Sequence, residues 1–62
     1  MYMKKFDVRV RPGTRVLTGY WGWRIVEEVD ETRYWVKLAG MVGSFNRSDI
    51  VRFSNKKGIK RQ

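Results

Sequence analysis

Apolar and polar positions alternate through most of this chain, and the alternation predicts strands. At residues 6–10, Phe6, Val8 and Val10 fall on one side and Asp7 and Arg9 on the other, the period of two that marks a half-buried strand. Pro12-Gly13 follows, a pair suited to a turn because proline presets φ and glycine accepts a positive φ. Residues 15–18 read as a short strand with Val16 inward, and Gly19-Tyr20-Trp21-Gly22 as a loop. Segments 23–29 and 33–38 are rich in β-branched and aromatic residues, with Asp30-Glu31-Thr32 between them, which predicts a hairpin with a short loop. In its second arm Tyr34, Val36 and Leu38 share one face, and Arg33, Trp35 and Lys37 share the other. Ile25, Val26 and Val29 obey no single alternation; a bulge near Val26–Glu27 reconciles them. A helix across 23–38 is the competing reading, but no stripe of 3.6-residue period runs through it and its residue types favour sheet.

Further on, Gly40 and Gly43 bracket a tight return, 42–46 reads as a strand, Arg47-Ser48-Asp49 as a single helical turn, and 50–53 as a last short strand. From Ser54 onward the chain is polar and basic, with Lys56, Lys57, Lys60 and Arg61, no acid, and Ile59 as its one apolar residue. Such a composition predicts a disordered tail. The expected organisation is one β-domain over residues 1–53 and a flexible basic tail over 54–62. A core in a chain of 62 residues rarely supplies more than about 3–5 kcal/mol, so each large apolar residue is considered for the core first. The expected core is Phe6, Val8, Val16, Ile25, Val29, Tyr34, Val36, Leu38, Phe45 and Ile50.

Charge adds a second constraint. Fourteen Lys and Arg face six Asp and Glu, a net charge of +8. Four of those acids (Glu27, Glu28, Asp30 and Glu31) lie within five consecutive residues; the other fifty-seven residues, with fourteen bases and two acids, carry +12. A field of that sign attracts polyanions, nucleic acid first and an anionic membrane surface or acidic protein second. Plain solubility is the alternative use of such charge. Cysteine and histidine are both absent, which excludes disulfides and any thiolate or imidazole metal site. No metal or cofactor is expected. The first residues carry no apolar run behind Lys4 and Lys5, so no secretory signal is expected, and the expected location is the cytoplasm.

The order of short strands, long central hairpin and one-turn helix before the final strand resembles the SH3-like barrel in its small Tudor- and KOW-type versions. The residues that carry the resemblance are Pro12-Gly13-Thr14-Arg15-Val16, the hairpin of 23–29 and 33–38, and Phe45-Asn46-Arg47-Ser48-Asp49-Ile50, together spanning roughly residues 12–53. It implies an all-β fold, a small five-stranded antiparallel barrel. Such barrels bind DNA, RNA, peptides or partner subunits, so the resemblance does not choose among them.

Three constellations are candidates for a binding surface. Arg33, Trp35 and Lys37 alternate on one strand face, as a base-stacking ring flanked by phosphate-binding cations would; the other reading is that Trp35 caps the barrel end. Tyr20 and Trp21, in the loop that lines the ligand edge in SH3-like barrels, and Trp23 and Arg24 just after it are suited to stack on bases, hold a proline-rich peptide or cage a methylated cation. At least one of these aromatics belongs to the core, Trp23 foremost, and Trp21 is the best candidate for exposure. The third is basic: Lys4, Lys5, Arg9 and Arg11 near one end, and Arg47, Arg52, Lys56, Lys57, Lys60 and Arg61 near the other. If the first and last strands are neighbours, Arg9 and Arg52 share a face, with Arg11 and Arg47 at its ends, and a basic tail beside it makes binding steeply salt-dependent. The acidic stretch reads as a solvated hairpin end pointing away from any polyanion.

Catalysis finds little support. Ser44, Ser48 and Ser54 have no histidine to act as base, and no glycine-rich phosphate loop is present. One SH3-like barrel, a plasmid-type dihydrofolate reductase, works through a shared tetrameric pore lined by a Val-Gln-Ile-Tyr segment; here the corresponding stretch is Val42-Gly43-Ser44-Phe45, which departs at its polar centre. The expectation is a non-enzymatic nucleic-acid-binding protein, DNA or RNA, held mainly through the backbone with aromatic stacking. The alternative is a protein-interaction module that docks on an acidic partner through its aromatic edge.

Overall fold

The computed structural model describes residues 3–56. Five strands, β1 (Arg15–Thr18), β2 (Gly22–Val29), β3 (Trp35–Leu38), β4 (Phe45–Asn46) and β5 (Ile50–Ser54), form one antiparallel sheet in the order β4-β3-β2-β1-β5. The sheet curls into a half-barrel. A three-residue 3-10 turn, Arg47–Asp49, precedes β5. Asn46 and Asp49 cap it reciprocally: the Ser48 N–H donates to Asn46 Oδ1 at 3.1 Å and the Asn46 N–H to Asp49 Oδ2 at 3.1 Å. Both the all-β class and the helical turn agree with the sequence.

Register decides which residues face the core. Residues directly opposite one another in an antiparallel pair project to the same side of the sheet. Val16 pairs with Arg24 and with Phe53, Val26 with Leu38, and Val29 with Val36. These define the inner face, where Phe6, Val10, Val16, Val26, Val36, Leu38, Phe45 and Ile50 are buried. The outer face carries Arg15, Leu17, Trp23 and Ile25 on β1 and β2, and Trp35 and Lys37 on β3. The expected bulge lies between Val26 and Glu28. It lets Val26 and Val29 both turn inward despite their odd spacing.

The core nevertheless differs from the expectation. Ile25, expected inside, is 42% exposed, and its neighbour Val26 takes the buried place at 1%. Val29 and Tyr34, also expected inside, are only partly buried. Residues 6–10 form no strand. Asp7 instead organises a turn in which its Oδ1 accepts from the Arg9 N–H at 2.8 Å and its carbonyl from the Val10 N–H at 2.9 Å. This local side-chain bond competes with extended backbone. It turns Val8 outward and lets Val10 join Phe6 in the core.

The hairpin loop is longer than the sequence suggests. The Arg33 N–H bonds to the Asp30 carbonyl at 2.8 Å, and Arg33 has φ 66°, the positive φ found at one non-glycine position among the described residues. Arg33 and Tyr34 therefore belong to the loop and not to β3. The strand expected over 42–46 shrinks to Phe45–Asn46, because Gly43 at φ 94° breaks the extended run.

At the other end, Ser54 closes β5 instead of opening the tail. Asn55 continues the tie: its Nδ2 donates to the Arg9 carbonyl at 2.8 Å, and its Oδ1 accepts from buried Thr14 Oγ1. The remainder of the expected tail, residues 57–62 with Lys57, lies outside the described residues. Among the described residues no helix is long and apolar enough to cross a membrane.

Candidate functional site

Four cations come together on one side of β5. Arg9, Arg47, Arg52 and Lys56 line a shallow groove of about 660 Å³ with Val51, Phe53, Ser54 and Asn55 along it. Each reaches the groove by a different local device. A bulge at Val51, where the β1–β5 register shifts between Leu17 and Thr18, sets Arg52 opposite Leu17 on the outer face. Arg47 leaves the 3-10 turn half-buried, its Nη1 donating to the Ile50 carbonyl at 2.9 Å. Arg9 is carried in by the Asp7 turn and by the bond from Asn55, with its guanidinium 5.3 Å from the Phe53 ring. Lys56 is held through its backbone, whose carbonyl accepts from Arg15 Nη2 at 2.9 Å.

One carboxylate touches this set. Asp7 pairs with Arg9 at 3.0 Å. Side-chain and backbone hydrogen bonds from Arg9 hold its carboxyl down to about 2. Three cations, Arg47, Arg52 and Lys56, are thus left with no acid partner among the described residues. Arg9 and Arg52 line the same groove, but they do not share a strand face: Arg9 arrives on a turn and lies over the inward-facing Phe53, while Arg52 stands on the outer face.

The other expected residues lie elsewhere. Arg33 is spent on the fold: its guanidinium donates to the Val10 carbonyl at 2.7 Å and the Asp7 carbonyl at 2.5 Å, with a longer contact to Phe6 O at 3.4 Å. Trp35 and Lys37 share a face as expected, without Arg33. They border a hollow of about 340 Å³ that also contains Glu28, Asp30 and Ser44. Two carboxylates there oppose any phosphate, and β3 is three strands removed from β5 in the sheet order. Arg24 faces the inner side opposite Val16; its Nε is shut off from solvent and has no hydrogen-bond partner among the described residues. Arg11 is exposed and its backbone N–H donates to Thr14 Oγ1 at 3.0 Å, outside the groove.

The aromatic residues are also redistributed. Trp21 packs edge-on against Phe45 at 5.6 Å and Tyr20 at 4.9 Å, so it leans on the core while 45% exposed. Thr18 fixes that loop: its Oγ1 accepts from the Trp21 N–H at 2.7 Å and donates to the Gly22 carbonyl at 2.8 Å. Trp23, the tryptophan first assigned to the core, stands 49% exposed on the outer face. It pairs with Leu17, which pairs in turn with Arg52. Trp23, Arg15 and Ser54 line a half-open hollow of about 320 Å³. The available signal was strict alternation: if Val26 is inside, Trp23 and Ile25 must be outside.

Comparison with known proteins finds no matching family model, no matching curated protein and no matching solved structure.

Proposed function

We propose that this protein is a small SH3-like barrel of the Tudor and KOW kind that binds nucleic acid through the sugar–phosphate backbone, without catalysing a reaction. The observation that carries the reading is the convergence of Arg47, Arg52 and Lys56, with Arg9 at their margin, on one groove in a chain of net charge +8. Such a groove neutralises successive phosphates and releases their counterions. Guanidinium groups suit the task because their fixed fork matches phosphate oxygens. Among the described residues the longest helical segment is the three-residue turn Arg47–Asp49, so no recognition helix is at hand for reading base edges in a major groove.

A salt titration tests the reading. With three unpaired cations and Arg9 partly engaged by Asp7, three to four phosphate contacts give a slope of log affinity on log salt of about −2 to −4. Arg52→Ala flattens that slope by about one unit on any sequence, while Lys37→Ala, on the acid-lined hollow, leaves it unchanged. Undetectable binding to single-stranded and duplex DNA and RNA at low ionic strength overturns the proposal and leaves an acidic protein as the partner for the same cations.

A further inference from the structure

We infer that the hollow between Trp23, Arg15 and Ser54 is a seat for one nucleobase of a single strand whose phosphates run along the Arg47–Arg52–Lys56 groove. This inference rests on the proposed backbone binding and adds to it the class of nucleic acid. Trp23 is the first ground. A tryptophan offers one of the largest apolar surfaces any residue can bury, yet, while eight hydrophobic residues are buried among the described ones, Trp23 leaves 49% of its surface in solvent. Its ring is therefore withheld from the core and available to a ligand with a π-face.

Continuity with the groove is the second ground. Ser54 lines both hollows, and Lys56, on the groove, accepts the hydrogen bond that orients the Arg15 guanidinium at 2.9 Å. Trp23, Leu17 and Arg52 form one row across β2, β1 and β5. At the usual spacing between strands this row sets the backbones of Trp23 and Arg52 about 10 Å apart. A ring and a cation so placed can take the base and a phosphate of a single strand. At about 320 Å³ the hollow has the size of a small-ligand site.

The chemistry of the walls fits a base in particular. The indole stacks on its face, and Arg15 adds a planar cation that stacks on aromatic rings. Ser54 Oγ accepts from the Lys56 N–H at 3.2 Å, which leaves its hydroxyl proton for an acceptor on a base edge. The hollow at Trp35 has a comparable ring but includes Glu28 and Asp30, so a strand's phosphates are repelled there. A duplex keeps its base faces stacked inside, which makes the seat selective for unpaired strands.

The test compares three ligands by anisotropy of labelled oligonucleotides, at low salt and then across a salt titration: a short single strand, the same strand with abasic sugars, and the duplex. The intact protein should bind the base-bearing strand more tightly than the abasic one. Trp23→Ala should weaken binding to the base-bearing strand by about 5- to 150-fold, the equivalent of one stacked base, and bring it down to the abasic level. Trp23→Phe should retain part of the preference, and Trp35→Ala all of it. A circular dichroism spectrum superimposable on the parent's shows that the Trp23→Ala barrel is folded; a loss of preference that Trp23→Phe shares in full overturns the seat. Equal affinity for base-bearing and abasic strands, with a steep salt slope, overturns the seat and leaves backbone binding intact. Absence of salt-dependent binding to all three removes both.

Discussion

Arg33→Ala deletes a clasp that joins the hairpin loop to the N-terminal segment. Its guanidinium reaches Val10 O at 2.7 Å and Asp7 O at 2.5 Å, while the contact to Phe6 O at 3.4 Å is too long to count for much. Hydrogen bonds from a charged group are worth about 1.5–3 kcal/mol each. Arg33 is only partly buried, so the low end applies, and two bonds give a loss of about 3 kcal/mol. That approaches the whole of the roughly 3–5 kcal/mol a core this small provides. A fall in Tm of about 15 °C follows. Arg33→Gly loses the same bonds but relaxes the backbone at φ 66°. A left-handed residue with a Cβ costs roughly 1–2 kcal/mol, and glycine's extra chain entropy returns part of that. The glycine variant should therefore be about 0.5–1 kcal/mol more stable than the alanine variant. Urea denaturation followed by tryptophan fluorescence, in sulfate to keep the weakest variant folded, measures both. An alanine variant within about 0.5 kcal/mol of the parent would refute the clasp, since two charge-assisted bonds cannot weigh so little. An alanine variant more stable than the glycine one would refute the left-handed backbone. The salt slope of nucleic-acid binding at 33, read on folded protein, should not change in either.

Val26→Ala should cost about 2 kcal/mol, close to the transfer free energy of two buried carbon groups, whereas Ile25→Ala at an outward position should stay within about 0.5 kcal/mol of the parent; comparable losses would show the register to be wrong. Truncation after Phe53 should lower the denaturation midpoint, because it removes the Asn55 bonds to Arg9 O and Thr14 and the Lys56 carbonyl that holds Arg15; an unchanged midpoint would show that these ties do not hold the fold. In a carboxyl NMR titration Asp7 should have its midpoint at about 2 against an ordinary value of 3.8, and Arg9→Ala should return it toward that value. Because the folded value is the depressed one, the stabilisation is present above the ordinary carboxylate range and is lost as pH falls through it toward 2; a midpoint near 3.8 in the parent would remove the Asp7–Arg9 pair.

The strands around the central hairpin were legible because their residue types and period agree. Even the bulge could be read, since Val26 and Val29 share a face in no regular strand. Which of Ile25 and Val26 enters the core was not legible, because it depends on Leu38 lying opposite Val26, a pairing between distant positions. At residues 6–10 the alternation was a poor guide. A carboxylate two residues before Arg9 turns the backbone by a local bond, and Asp7-Val8-Arg9 carried that signal in plain sight. Arg33 misled for another reason: as a side chain it fits a strand face beside Trp35, and nothing local announces a left-handed arginine whose partners are carbonyls of residues 6–10. The groove was half legible. The charge excess was legible, whereas the grip of Asn55 on Arg9, which brings Arg9 to the groove that Arg52 lines, joins positions far apart in the chain and had no local signal.

That position of β1 has a kinetic consequence. Its partner on one side, β2, follows it almost immediately, but its partner on the other, β5, is the last strand of the sheet, and Arg15 waits for Ser54. On a ribosome the hairpins of β1–β2 and β2–β3 can zip as they emerge, yet β1 keeps one bare edge until β5 has cleared the exit tunnel. Closing that long loop carries its entropy late in the reaction. Folding of this barrel should therefore be limited by the arrival of β5, and a chain stalled before residue 50 presents an unpaired β1 edge to any strand it meets.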